Sequence, residues 1–140
     1  MPVTNFPVVQ TYRKPKKGRV EVTYKGVRMQ LNVQIFEDQK LNKNKQKSSA
    51  APNIIHSFDA AHLQMTTVAS SHRVATIHDS FGCLPGDMVE LFEVVRETFV
   101  DFYEVDPMRQ LLSQHDKLDR TPTYGTLNIE DVIASDYAFA

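Results

Sequence analysis

The residues best suited to chemistry lie in VATIHDSFGCL, residues 74–84. Two short apolar runs flank His78-Asp79, so an imidazole and a carboxylate stand at the tip of a tight hairpin. Phosphoryl transfer needs a carboxylate held rigidly yet exposed, because a divalent metal must reach substrate phosphates as well as protein. An aspartate at a hairpin apex also serves plain turn chemistry, and the residues alone leave both readings open. A triad of His78, Asp79 and Ser80 is excluded, because consecutive side chains on an extended segment point to opposite faces.

A second cluster is His56, Ser57, Asp59 and His62, within HSFDAAH. On a helix, His56, Asp59 and His62 fall at i, i+3 and i+6 and share one side. Both a metal site and a polar stripe facing a groove fit that spacing, although the His-x-x-x-His of zinc proteases is absent. His72 and His115 join no constellation and read as surface residues. No Gly-rich phosphate loop occurs, and Cys83 reads as buried in a strand.

The elements that must hold these residues follow from periodicity. Residues 6–12 read as a short strand or extended segment, limited by Pro7. Residues 19–24 and 27–35 alternate polar and apolar about a Lys25-Gly26 turn, which predicts a β-hairpin. Residues 37–52 are polar, Lys-rich and unpatterned, and read as a mobile loop. Asn53 then caps a helix to about Ser71, with Ile54, Ile55, Phe58, Ala61, Met65 and Val68 as its apolar side. Strands at 73–77 and 80–84 make the hairpin around Asp79. Pro85 opens a helix to about Glu104 carrying Met88, Leu91, Phe92, Val95, Phe99 and Phe102 at helical spacing. A short helix from Pro107 to about His115, a loop over 118–128 turning at Gly125, and a short helix near 129–134 complete the pattern. The apolar tail Tyr137-Ala138-Phe139-Ala140 reads as docked, into the core or beside a site.

The chain has 140 residues, 41% of them apolar, enough for one domain or a piece of a larger one. A single cysteine excludes an internal disulfide framework and a multi-cysteine zinc cluster, and suggests a reducing compartment. No stretch approaches the 18 or so apolar residues of a membrane span, and the N-terminus lacks the apolar core of a secretory signal. The net charge of -1 hides an asymmetry: residues 1–52 carry eleven Lys/Arg against three Asp/Glu, and residues 53–140 carry five against fourteen. The basic first third suits a polyanion such as nucleic acid, and equally a solvated face balancing the acidic remainder.

Five ordered segments resemble the C-terminal end of the single-subunit, bacteriophage-type DNA-dependent RNA polymerases: FPVVQTYRKP, KQKSSAAPNIIHSFDAAHL, ATIHDSFG, LFEVVRETFVDFYE, and DKL with GTLNIEDVIASDYAFA. The His-Asp-Ser-Phe-Gly hairpin resembles the motif C of the polymerase palm. The resemblance implies an α+β fold, an incomplete palm region of antiparallel hairpins and packed helices. Its parts are a hairpin region over 1–36, a basic loop over 37–52, and the helix, catalytic hairpin, further helices and tail over 53–140. It implies that Asp79 binds catalytic Mg²⁺ in a two-metal site, with His78 beside the primer end or incoming nucleotide. It places His56 near the template–product duplex, supported by Asp59 and His62, and Tyr137, Phe139 and Ala140 close to the active site. Arg13, Lys14, Lys16 and Lys17 are the candidate nucleic-acid contacts of the basic third.

The implied partners are a DNA template, nascent RNA and NTPs, with no membrane, in the cytoplasm (of an infected bacterium if phage-encoded). The family's other catalytic aspartate and its nucleotide-binding fingers helix lie upstream of every matching segment, and Asp59 and Asp87 match no second metal motif. The chain is therefore expected to be inactive alone. A second polypeptide, or the rest of the same chain, would carry the missing motifs. The alternative is a non-catalytic remnant that binds nucleic acid or protein.

Overall fold

The computed structural model describes residues 3–138, with residues 35–39 described through their backbone only. The chain divides into two compact units, Val9–Asn53 and a second made of the N-terminal residues to Val8 with Ile54–Ala140. Helices and two small antiparallel sheets make it α+β.

In the first unit, β1 (Arg13–Tyr24) pairs antiparallel with β2 (Val27–Leu41). The turn falls at Lys25-Gly26, with left-handed φ of 49° and 79°. Two consecutive left-handed residues are the signature of the hairpin turn whose twist matches the strands, and glycine makes the second free of strain. The ribbon matches the alternating pattern at the turn but is longer at its open end, where β1 starts at Arg13 and β2 runs to Leu41, and its pairing register shifts between Arg13 and Pro15. Residues 5–12 carry no regular structure, so the strand expected over 6–12 is not formed.

The loop expected over 37–52 is not a loop. Strand β2 runs to Leu41, and α1 (Lys43–Ala69) begins two residues later. Asn42, not Asn53, caps this helix: its side-chain oxygen accepts the Lys45 amide at 3.2 Å, and its carbonyl accepts the Gln46 amide at 2.9 Å. Lys, Gln and Ala are strong helix formers, so the segment needs no apolar stripe to stay helical once capped. Gln46 also reaches the Gln10 carbonyl at 2.8 Å, and Asn53 the Tyr12 hydroxyl at 2.9 Å, which holds this end of α1 beside residues 10–12.

In the second unit, α1 packs antiparallel on α2 (Met88–Glu104). Contacts run in opposite order along the two helices: Phe58 meets Phe102 edge-on with ring centroids 5.8 Å apart, His62 meets Phe99, Thr66 reaches Thr98, and Ser71, just past α1, reaches Glu90. Phe58, Ala61 and Phe102 form the fully covered centre, and Val3, Ile54, Met65, Met108 and Leu111 pack around it. Of the apolar stripe expected on α1, Ile55 and Val68 are exposed, Val68 at 86%, and His62 and Thr66 take the buried places instead. The Thr66 and Thr98 hydroxyls lie 2.8 Å apart inside this interface, and Thr98 donates to the Val94 carbonyl at 2.7 Å. Buried hydroxyls so paired escape most of the cost of desolvation.

Strands β3 (Ala75–Ile77) and β4 (Ser80–Gly82) form the second hairpin, and Pro85 opens a single 3₁₀ turn leading into α2. Cys83 follows β4 and is half-buried rather than buried in a strand. After α2 come α3 (Pro107–Ser113), capped by the Asp106 side chain, and α4 (Asp131–Ala134). A 3₁₀ turn, Leu118–Arg120, interrupts the loop between them. Arg96 of α2 is buried, donates to the Ile133 carbonyl of α4 at 3.4 Å, and stacks 3.5 Å over the Phe92 ring.

Candidate functional site

The β3–β4 hairpin pairs Ile77 with Ser80, leaving His78 and Asp79 as its two turn residues. His78 has a left-handed φ of 55°. Glycine is the ordinary occupant of such a position, and a side chain there costs about 1–2 kcal/mol. Both side chains are exposed at the tip.

Facing them is one side of α1. His56, Asp59, Ala60, Leu63 and Gln64 line a cavity of about 550 Å³ together with His78 and Asp79. The helical spacing of three and four residues sets His56, Asp59 and Leu63 in a row, and the hairpin tip closes the opposite wall. A second cavity of about 590 Å³ shares Asp59, Leu63 and Asp79 and continues toward Phe81, Leu91, Phe92, Val95 and Arg96. Two carboxylates, two imidazoles and an amide thus converge on one concave surface. Among the described residues, no group of three or more His, Cys, Asp and Glu side chains is arranged to hold a metal ion. Asp59 and Asp79 are the two carboxylates on the cavity wall.

Asp59 also acts on its surroundings through charge. Burial raises the Tyr103 hydroxyl pKa above its usual value, and the Asp59 charge raises it further. Burial lowers the His62 pKa, against the smaller opposing pull of the Val95 carbonyl and the Asp59 charge.

His62 differs from the other members of its helical stripe. It is only 8% exposed, and its Nε2 lies 3.0 Å from the Val95 carbonyl. A carbonyl only accepts, so Nε2 carries the proton. The ring stands edge-on to Phe99 at 5.4 Å and to Phe81 at 5.9 Å. The structure therefore brings His56, Asp59, His78 and Asp79 onto one cavity, and turns His62 into the helix–helix interface, where it borders only the second cavity.

The remaining expected residues fall elsewhere. Arg13, Lys14, Lys16 and Lys17 are exposed on β1, where strand alternation sends Lys16 and Lys17 to opposite faces. Lys14 lines a separate cavity of about 570 Å³ with Lys40, Leu41, Asn42, Lys43 and Asn44. Lys40 and Lys43 lie in the Lys-rich stretch whose residues show no apolar period, and Asn42, the N-cap of α1, is the one local sign of a helix start there. Tyr137 is 90% exposed rather than docked, and Phe139 and Ala140 lie outside the described residues.

His72, expected to stand alone, has partners. Its Nδ1 is 2.7 Å from Glu90 and its Nε2 3.5 Å from Asp87. Ser71 donates to the same Glu90 through hydroxyl and amide, and these bonds, the hydroxyl's foremost, hold the Glu90 pKa below the usual carboxylate value. The cluster ties the end of α1 to the start of α2, away from the cavity.

Comparison with known proteins gives these positions a context. The sequence profile of the DNA-dependent RNA polymerase family matches residues 1–118. The DNA-directed RNA polymerase of Enterobacteria phage T3 is 39% identical over 96% of the chain, and the T7 RNA polymerase of Escherichia phage T7 is 39% identical over the same share. DNA-directed RNA polymerase 1, mitochondrial, of Arabidopsis thaliana is 33% identical over 96% of the chain. The chain spans 17% of the length of each phage enzyme and 14% of the plant one.

Proposed function

The chain belongs to the DNA-dependent RNA polymerase family, and from that premise we propose that it is the C-terminal, motif C-bearing palm part of a phage-type polymerase. In this reading it completes its active site with sequence carried on a second polypeptide or elsewhere on the same chain. The whole assembly makes RNA on a DNA template: the RNA 3′-oxygen bonds to the α-phosphorus of an NTP, the hydroxyl proton is lost, and pyrophosphate leaves.

The observation that supports this reading is the convergence of Asp79, at the hairpin tip, with Asp59, His56 and His78 on one cavity. Asp79 is the metal-binding aspartate, and Asp59 lies close enough to line the same space. Mg²⁺, when bound, supplies the positive charge that activates the 3′-hydroxyl and stabilises the departing pyrophosphate. The chain's own residues hold and orient. Asp79 presents its oxygens from a tight two-residue turn, so their position follows that of the hairpin. His78 offers ring nitrogens beside the primer end or incoming nucleotide. His56 and Gln64 offer hydrogen-bonding groups from the helix wall to the template–product duplex. Arg13, Lys14, Lys16 and Lys17, exposed on a ribbon, neutralise backbone phosphates.

Asp79→Asn in the assembled polymerase tests this. Nucleotide addition should fall by about a thousandfold or more, the scale on which removing a key charge-stabilising group acts. Template binding, measured by a salt-dependent shift assay, should survive. Undiminished synthesis would instead support the non-catalytic binding remnant.

A further inference from the structure

Of the six residues in β3 and β4, five are exposed, and Phe81 alone turns inward. Two paired strands of three residues have no independent stability in water. Where the Phe81 ring rests therefore largely sets where the hairpin tip stands. It rests edge-on against His62, at 5.9 Å and 72° between ring planes. His62 is in turn fastened to α2 at two points, by its Nε2–H on the Val95 carbonyl at 3.0 Å and by its edge-to-face contact with Phe99 at 5.4 Å.

We propose that His62 is a positioning residue for the Asp79 hairpin: locked to α2 through Val95, its ring is the seat on which Phe81 sets the Asp79 carboxylate. An apolar ring could fill the same space. It would lack the directional bond to Val95 and could slide or rotate between the helices. An exposed, charged imidazolium would lose the edge contact to water and would place a cation beside Asp59. Burial keeps this ring neutral at neutral pH. The inference rests on the reading of Asp79 as a metal-binding aspartate, and it assigns His62 a role that touches neither substrate nor metal.

The test is the Mg²⁺ concentration for half-maximal RNA synthesis by the complete polymerase, with template affinity and melting temperature measured alongside. His62→Gln keeps an N–H donor and removes the ring. It should raise the half-activating Mg²⁺ concentration about tenfold, the low end of what groups supporting a metal ligand contribute, with template affinity unchanged. Phe81→Leu should do the same, and the double variant should be no worse than the poorer single, because both remove one contact. His62→Phe keeps an aromatic seat but lacks the bond to Val95, so it should recover only part of the Mg²⁺ affinity lost in His62→Gln; full recovery would overturn the role given to the Val95 bond. If His62→Gln and Phe81→Leu lower the melting temperature while leaving the Mg²⁺ requirement unchanged, His62 is merely structural and the inference is overturned. Should His62→Gln fail to fold, Phe81→Leu decides by the same readout. Asp79→Asn, run in parallel, separates the two failures: retained synthesis removes the metal-binding premise, whereas lost synthesis beside an unchanged Mg²⁺ requirement in the other variants removes only the role of His62.

Discussion

At the scale of single residues, environment rather than type decides what a histidine does. His56 and His78 face a cavity in solvent, His72 bridges two carboxylates, and His62 is buried between helices. Only the last pays for burial, and this has a consequence for stability. The folded-state pKa of His62 lies below its ordinary value near 6.5. Between the two values the unfolded chain holds a proton that the folded chain does not. The contribution is therefore fully present above about pH 6.5 and is lost as pH falls toward the folded value, with a slope of at most about 1.4 kcal/mol per pH unit. Glu90 is also depressed, but from a carboxylate value, so its window opens only at more acidic pH. Melting temperatures at pH 7.5 and 5.5 should differ in the unsubstituted protein, and His62→Phe should shrink that difference. An equal acid shift in the variant would assign it to other groups.

At the scale of elements, α1 shows how a helix can be hidden. Its first ten residues, through Pro52, contain no apolar periodicity, because most of them are exposed and bury no stripe. They are helical because Asn42 starts them and the anchored stretch from Ile54 onward continues them, and adding a turn to an existing helix is far easier than nucleating one. Asn42→Ala should therefore cost about 1 kcal/mol of helix stability. Amide exchange should report it locally, with protection lost first at Lys45 and Gln46 and retained near Phe58. Uniform loss along α1 would mean that the cap matters to the whole helix. The β1–β2 hairpin was legible for the opposite reason. Alternation and the Lys25-Gly26 turn are contained within a few residues, and the turn type follows from them. The same holds for α2, whose end at Glu104 matches the apolar spacing and the approach of Pro107.

At the scale of the molecule, the covered core is small, and large side chains stand outside it. Val20, Val22, Tyr24, Val27, Met29 and Leu31 are exposed on the ribbon, and Ile77, Leu84, Met88, Val89 and Phe92 around the second hairpin and α2. The chain spans 17% of the length of its phage relatives. With few residues fully buried, each carries much. Phe102 is completely covered and meets Phe58 edge-on, so Phe102→Ala should cost about 3–5 kcal/mol, enough to shift a urea midpoint sharply or unfold the protein. No helix among the described residues is long and apolar enough to cross a membrane.

What the sequence by itself determined is what depends on neighbours along the chain. The two hairpin turns, the extent of α2, the place of Asp79 at an apex and the family resemblance all reside in short windows, where turn conformation and apolar period act over a few residues. Tertiary structure decided what depends on residues far apart. His62 lies 33 positions from Val95, and Asp59 lies 20 from Asp79. Their meeting follows from the antiparallel packing of α1 on α2 and from the seating of Phe81. The spacing His56, Asp59, His62 made one stripe of three equivalent residues. The packing divided it, burying His62 and leaving His56 and Asp59 at the cavity, because the helix interface cuts across the stripe rather than along it.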